Sequence, residues 1–136
     1  MTPYKTKTKK FHGTRYGDAR ANAMLLFKQI EKRTKRRPYI KSDYFNKQKV
    51  FFEYFWSHLF QKGPKERAKR LQYFEAALEL IRNSRNHPTP EENPIKKGEI
   101  LHRFLGQTKD GELFYVQVKE DKRSGNKYFM SCFPAK

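Results

Sequence analysis

The chain has 136 residues, with 31 Lys and Arg against 14 Asp and Glu, for a formal net charge of +17. That length favours one domain with a single modest core; no apolar run approaches the ~20 residues of a bilayer span, and the basic start lacks the apolar stretch of a secretion signal. The single cysteine, Cys132, excludes an internal disulfide and a Cys-based zinc site, and 15% aromatic residues argue against a disordered basic tail, so the expectation is a folded cytoplasmic protein whose partner is a polyanion.

Residues 1–41 carry 13 Lys and Arg against 2 acids, a net of +11, whereas residues 42–98 carry a net of +4 and residues 99–136 a net of +2. Residues 1–18 show Gly13 and Gly17 and no hydrophobic period, which predicts a flexible basic arm ahead of one α+β domain over residues 19–136. Ala23, Phe27 and Ile30 repeat at helical spacing, so Ala19 to Arg36 reads as a helix that Pro38 ends. Its C-terminal run contains Arg33, Lys35, Arg36 and Arg37, a phosphate-binding cluster by charge; a solubilising tail is the plainer alternative. Ser42 or Asp43 can cap a second helix to Gln61, apolar nearly all round through Val50, Phe52, Phe55, Trp56 and Leu59. Gly63 suits a helix C-cap and Pro64 the first turn of a third helix, Lys65 to Asn83.

Residues 84–98, with three prolines, read as a linker or an ordered binding loop. Beyond it the period becomes two. Glu99–Leu105 and Leu113–Lys119 flank the turn signal Asp110-Gly111, and Ser124-Gly125-Asn126 leads to a third strand, Lys127–Phe133. The expected fold class is therefore α+β, with N-terminal helices packed on a small C-terminal antiparallel sheet.

An even-length first hairpin places His102 on one face with Tyr115, Gln117 and Lys119, and the second turn adds Tyr128 and Met130. Leu101, Leu105, Phe114, Val116, Val118, Phe129 and Phe133 then form the core face, and Arg103 falls awkwardly among them. The His102 face reads as an RNA platform, where rings stack bases and cations hold phosphate. A solvated sheet face is the plainer alternative.

The strands Gly98-Glu99-Ile100-Leu101-His102-Arg103-Phe104-Leu105-Gly106, Phe114-Tyr115-Val116-Gln117-Val118-Lys119-Glu120 and Lys127-Tyr128-Phe129-Met130-Ser131-Cys132-Phe133-Pro134 resemble the C-terminal sheet of phage- and mobile-element-borne nucleases of the barnase–EndoU–colicin–RelE-like superfold. The resemblance covers roughly residues 64–134. It implies a metal-independent ribonuclease in which His102, Arg103 and Lys119 act on the scissile phosphate, with Tyr115, Tyr128 or Ser131 as hydroxyl partners. If the protein is a toxin, the same analogy implies an acidic antitoxin or immunity protein as partner.

Such cleavage needs a base for the 2′-OH, an acid for the leaving 5′-oxygen and cations for the developing phosphorane. The imidazole of His102 suits proton transfer, and Lys119 suits a clamp. Arg67, Arg70, Arg82 and Arg85 on and after the third helix extend a phosphate-binding track, unless they only form a solvated helix face. No cofactor or metal is expected, because the acids are scattered and a two-metal site needs clustered carboxylates. His58 reads as a packed helix residue, His87 as a loop residue, and Cys132 as half-buried without a catalytic partner. The expectation is thus an RNA-binding endoribonuclease, with a non-catalytic RNA- or ribosome-binding protein as the alternative and a DNA-binding helix the least suited.

Overall fold

The computed structural model describes residues 2–92 and 96–135. In chain order it contains β1 (Tyr4–Lys5), α1 (Tyr16–Arg33), β2 (Tyr39–Ser42), β3 (Gln48–Phe51), α2 (Phe55–Phe60), α3 (Pro64–Leu71), α4 (Phe74–Asn83), β4 (Thr89–Glu92), β5 (Glu99–Gln107), β6 (Leu113–Asp121) and β7 (Lys127–Pro134). The strands form one mixed sheet in the order β1-β5-β6-β7-β3-β2, with β4 also pairing β5. This corrects the expected small C-terminal antiparallel sheet. The β5-β6-β7 meander is its centre, but strands from the N-terminal half complete both sides, and β1 on β5 and β3 on β7 are parallel.

The expected second helix is the largest departure. Its first half is the β2–β3 hairpin, where Ile40, Ser42 and Val50 are buried and alternate with exposed Lys41 and Lys49. Asn46 and Lys47 turn the chain with φ of 57° and 66°, and only Phe55–Phe60 is helical. The third helix breaks at Gln72-Tyr73 into α3 and α4. Gly63 stands at the N-cap of α3 rather than at a C-cap, and Pro64 opens that helix as its fixed φ favours. α1 ends at Arg33 with Thr34 at the C-cap, so Lys35, Arg36 and Arg37 lie beyond the helix. In the expected linker, residues 89–92 form β4, while residues 93–95 lie outside the described residues.

The arm is not free. β1 pairs with Gly106 and Gln107 of β5, and the Lys109 N–H donates to the Thr8 carbonyl at 3.0 Å. The Glu79 carboxylate accepts from the Tyr4 hydroxyl (3.0 Å), the Lys7 N–H (2.9 Å), the Thr8 N–H (3.1 Å) and the Thr8 hydroxyl (2.6 Å). Burial pushes the Glu79 pKa up, but these donors outweigh it and hold the group below its ordinary 4.5. Burial, then the bond to the Glu79 carboxylate, raises Tyr4 to about 12. A depressed carboxylate stabilises the fold above its unfolded pKa, and that contribution disappears as pH falls through the folded value. Glu79→Ala should therefore lower stability by about 2–3 kcal/mol at pH 7, the scale of hydrogen bonds to a charged group. The difference from wild type should shrink below pH 4 in denaturant titrations.

Helices cover one face of the sheet. On it lie Phe104, Gly106, Phe114, Val116, Val118, Phe129 and Cys132, all buried. Phe129 stacks on Phe55 at 4.5 Å and meets Phe52 at 5.7 Å and Phe74 at 6.2 Å, while Tyr73 stacks on Phe114 at 5.4 Å. A Cβ on Gly106 would sit 2.5 Å from the Phe114 ring and 2.7 Å from Leu80 Cδ1, so only glycine lets α4 approach β5 this closely. Among the described residues no helix is long and apolar enough to cross a membrane.

Candidate nucleic-acid interface

Loop length decides which side chains share the other face. Gln107 pairs with Leu113, so the first hairpin has a five-residue connection, Thr108 to Glu112. The Thr108 hydroxyl shapes this loop by donating to Asp110 Oδ1 at 2.6 Å and accepting the Glu112 N–H at 2.9 Å. An odd connection reverses the parity expected for an even one. Arg103 now stands opposite Gln117, Leu105 opposite Tyr115 and Leu101 opposite Lys119, whereas His102 stands opposite the buried Val118. On β7 Lys119 pairs with Tyr128, and a bulge at Met130, opposite Gln117/Val118, then shifts the register by one, so Gln117 pairs with Ser131 and Tyr115 with Phe133. Leu101, Leu105 and Phe133 therefore leave the expected core, and Arg103 loses its awkward position. Phe51 and Tyr39 extend the face across β3 and β2.

This open face alternates rings and cations. The Arg103 guanidinium lies 5.2 Å from the Tyr115 ring and 5.9 Å from Phe133, whose rings are 5.7 Å apart. Arg103 has no ion pair among the described residues, and its Nε has no hydrogen-bond partner there. Lys119 Nζ sits 4.0 Å above Tyr54 and 5.5 Å from Tyr128, and 3.2 Å from Glu99 Oε2. Arg37 lies 3.8 Å over Phe51 and is held by Glu53 through Nε at 2.6 Å. Lys49 lies 4.6 Å over Tyr39. Lys35, Arg36, Arg37, Tyr39, Lys49 and Phe51 line a cleft of about 360 Å³. The Ser131 hydroxyl donates to Gln117 Oε1 at 3.3 Å, which leaves the Gln117 NH₂ free to donate.

Of the expected catalytic set, Arg103, Tyr115, Lys119 and Tyr128 come together here, and His102 does not. His102 Nε2 is 2.7 Å from Glu120 Oε1 on the helix-covered side, with its ring 5.1 Å from Phe45 at the β2–β3 tip. Glu120 faces Lys127 at 3.7 Å, and Lys127 donates to Gln48 Oε1 at 2.5 Å and the Gly125 carbonyl at 2.8 Å. This is a polar plug at one end of the core, in which His102 Nδ1 has no hydrogen-bond partner among the described residues, and it places His102 and Lys119 on opposite faces of the sheet.

The expected arginine track is also divided. Lys35, Arg36 and Arg37 border the open face, and Arg33 and Arg82 line a separate cleft beside it. Arg67 donates to the Phe60 carbonyl at 2.7 Å and lies over the Tyr16 and Phe60 rings, so it braces helices. Arg70 is paired with Glu66 at 3.0 Å but lies 5.2 Å from the Phe133 ring at the border of the open face, whereas Arg85 lies 4.0 Å from Asp43 on the far side of the hairpin. Burial, then Lys62 and Arg70, lowers the pKa of His58, in keeping with a packed neutral imidazole. Cys132 is fully buried, beyond the half-burial expected, and burial raises its thiol to about 12.

Sequence reasoning missed Tyr39, Lys49, Phe51 and Tyr54. The signal for the first three was the alternation on either side of Asn46-Lys47, which the dense aromatic run after it obscured. No family model, curated protein or solved structure matches this chain.

Proposed function

We propose that the protein binds single-stranded RNA across the open face of its sheet. The observation that carries this reading is the set of rings on that face, each with a cation over or beside it: Arg103 at Tyr115 and Phe133, Lys119 at Tyr128, Arg37 at Phe51, Lys49 at Tyr39. Stacked bases replace water over such rings, and adjacent cations take the phosphates. A half-open sheet face also suits splayed single strands better than a duplex, whose bases are inaccessible.

Binding should be strongly salt-dependent. If Lys35, Arg36, Arg37, Lys49 and Arg103 each neutralise a phosphate, log K against log salt should have a slope of about −3.5. Lys49→Gln should flatten it by about 0.7, whereas Arg67→Gln should leave it unchanged. Fluorescence anisotropy with labelled single-stranded RNA and a matched duplex measures both quantities. A slope near zero, or equal affinity for the duplex, would refute this reading.

Cleavage on the same face is a second reading, favoured by the convergence of Arg103, Tyr115, Lys119 and Tyr128. Lys119 and Tyr128, whose Nζ and ring are 5.5 Å apart, would exchange the protons, with Tyr115 as a further hydroxyl on the face. Tyr128, once it has given its proton to solvent, would take the 2′-OH proton as that oxygen attacks phosphorus, and the Lys119 ammonium would protonate the departing 5′-oxygen while Arg103 faces the phosphorane charge. Products ending in 2′,3′-cyclic phosphate, formed in EDTA by wild type and His102→Ala but not by Lys119→Met, would establish it. Intact RNA would leave binding alone.

A further inference from the structure

Beyond the open face, on the far side of Tyr39, the ends of α1 and α4 meet the edge strand β2. The cleft between them, about 210 Å³, is lined by Arg33, Arg82, Lys41, Thr34 and Tyr39 together with isoleucine side chains. Three cations thus share a pocket roomy enough for a phosphate and its adjoining sugar. Among the described residues none of the three has an ion pair, and half-buried Arg82 makes no hydrogen bond with its side chain. Arg33 spends only its Nε, on the Gln29 carbonyl at 3.4 Å.

Burial, then the neighbouring charge of Arg33, holds the Arg82 guanidinium below its ordinary pKa. Two like charges held together without a counter-charge cost free energy that a bound anion recovers. Planar guanidinium forks match phosphate oxygens bidentately. Position narrows the anion further. β2 is the last strand of the sheet, so a nucleic-acid strand crossing the open face runs off it here. An internal phosphodiester carries one charge and must continue in both directions, past the residues of α1 and α4 that line the cleft. A terminal monoester carries up to two charges and needs no exit.

We propose that this cleft takes the terminal phosphate monoester of a single-stranded nucleic acid, clamped by Arg33 and Arg82 with Lys41 adding charge. The proposal rests on the open face being the path of the strand, and it makes the protein selective for phosphorylated ends. The same chemistry in a free small molecule would compete for the cleft.

The test uses one short RNA with an internal fluorophore in three forms: 5′-phosphorylated, 3′-phosphorylated and hydroxyl at both ends. One phosphorylated form should bind about tenfold more tightly than the hydroxyl form, the effect of one good charge-assisted contact. Excess inorganic phosphate should cancel that advantage without abolishing binding. Arg82→Gln should remove the advantage, and so should Arg33→Gln at an exposed position where folding is not at stake, while both keep wild-type affinity for the hydroxyl form. Equal binding of all three forms, or an advantage that survives both substitutions, overturns the proposal. If only a phosphorylated form binds, the cleft assignment stands and the open-face reading falls; if no form binds, both fall.

Discussion

Alanine at Arg103 should weaken binding of a short single-stranded RNA by about 10–100-fold, because a hydrogen-bonded ionic contact contributes roughly 1.5–3 kcal/mol. The side chain is pre-positioned by Tyr115 and Phe133, so little rotamer freedom is left to lose on binding. Its guanidinium has no carboxylate to surrender first among the described residues. Arg103→Lys should recover only part of the loss, since an ammonium keeps the charge without the flat fork. Anisotropy at one fixed salt concentration, beside circular dichroism to confirm the fold, reads both variants. An Arg103→Ala protein with unchanged affinity would remove this residue from the interface.

The largest stability loss from a single truncation is expected at Phe129. Its ring is fully buried, stacked on Phe55 at 4.5 Å and touching Phe52 and Phe74, so it joins the sheet to the helices. Phe129→Ala removes those contacts and leaves a hole between layers, for a loss of about 3–5 kcal/mol. Against the ~5–15 kcal/mol that holds a typical domain together, this is a large share of the margin. The melting temperature should fall by roughly 10–20 °C. Phe129→Leu keeps most of the volume and should cost far less. A loss under 1 kcal/mol for the alanine variant would mean that the two layers do not meet here.

The C-terminal strands were legible because β6 alternates buried and open positions and each turn carries glycine at positive φ, as Gly111 and Gly125 do. Which side chains share a face was not, since that depends on whether a loop has four or five residues. Thr108 settles it by hydrogen bonds to Asp110 and Glu112 that no hydrophobic pattern reports. The β2–β3 hairpin was obscured for a related reason. Val50, Phe52, Phe55, Trp56 and Leu59 satisfy a helical stripe as well as a strand followed by a helix, and only tertiary packing separates the two. The strand character of Tyr4-Lys5 had no local signal, because two residues pair only when Glu79, more than seventy positions away, secures the segment that follows. At the candidate site, residue types were readable and geometry was not. Arginine, lysine and tyrosine were nominated together and do share a surface, while the imidazole nominated with them turned inward by one register step.

The secured N-terminal segment also guards the rim of the sheet. Gly106 and Gln107 sit on the outer side of β5, and Tyr4-Lys5 occupies the backbone groups they would otherwise present to solvent. Proteolytic trimming of the first ten residues would do more than shorten a cationic tail. It would bare a ready template for strand addition by another molecule, a route toward aggregates.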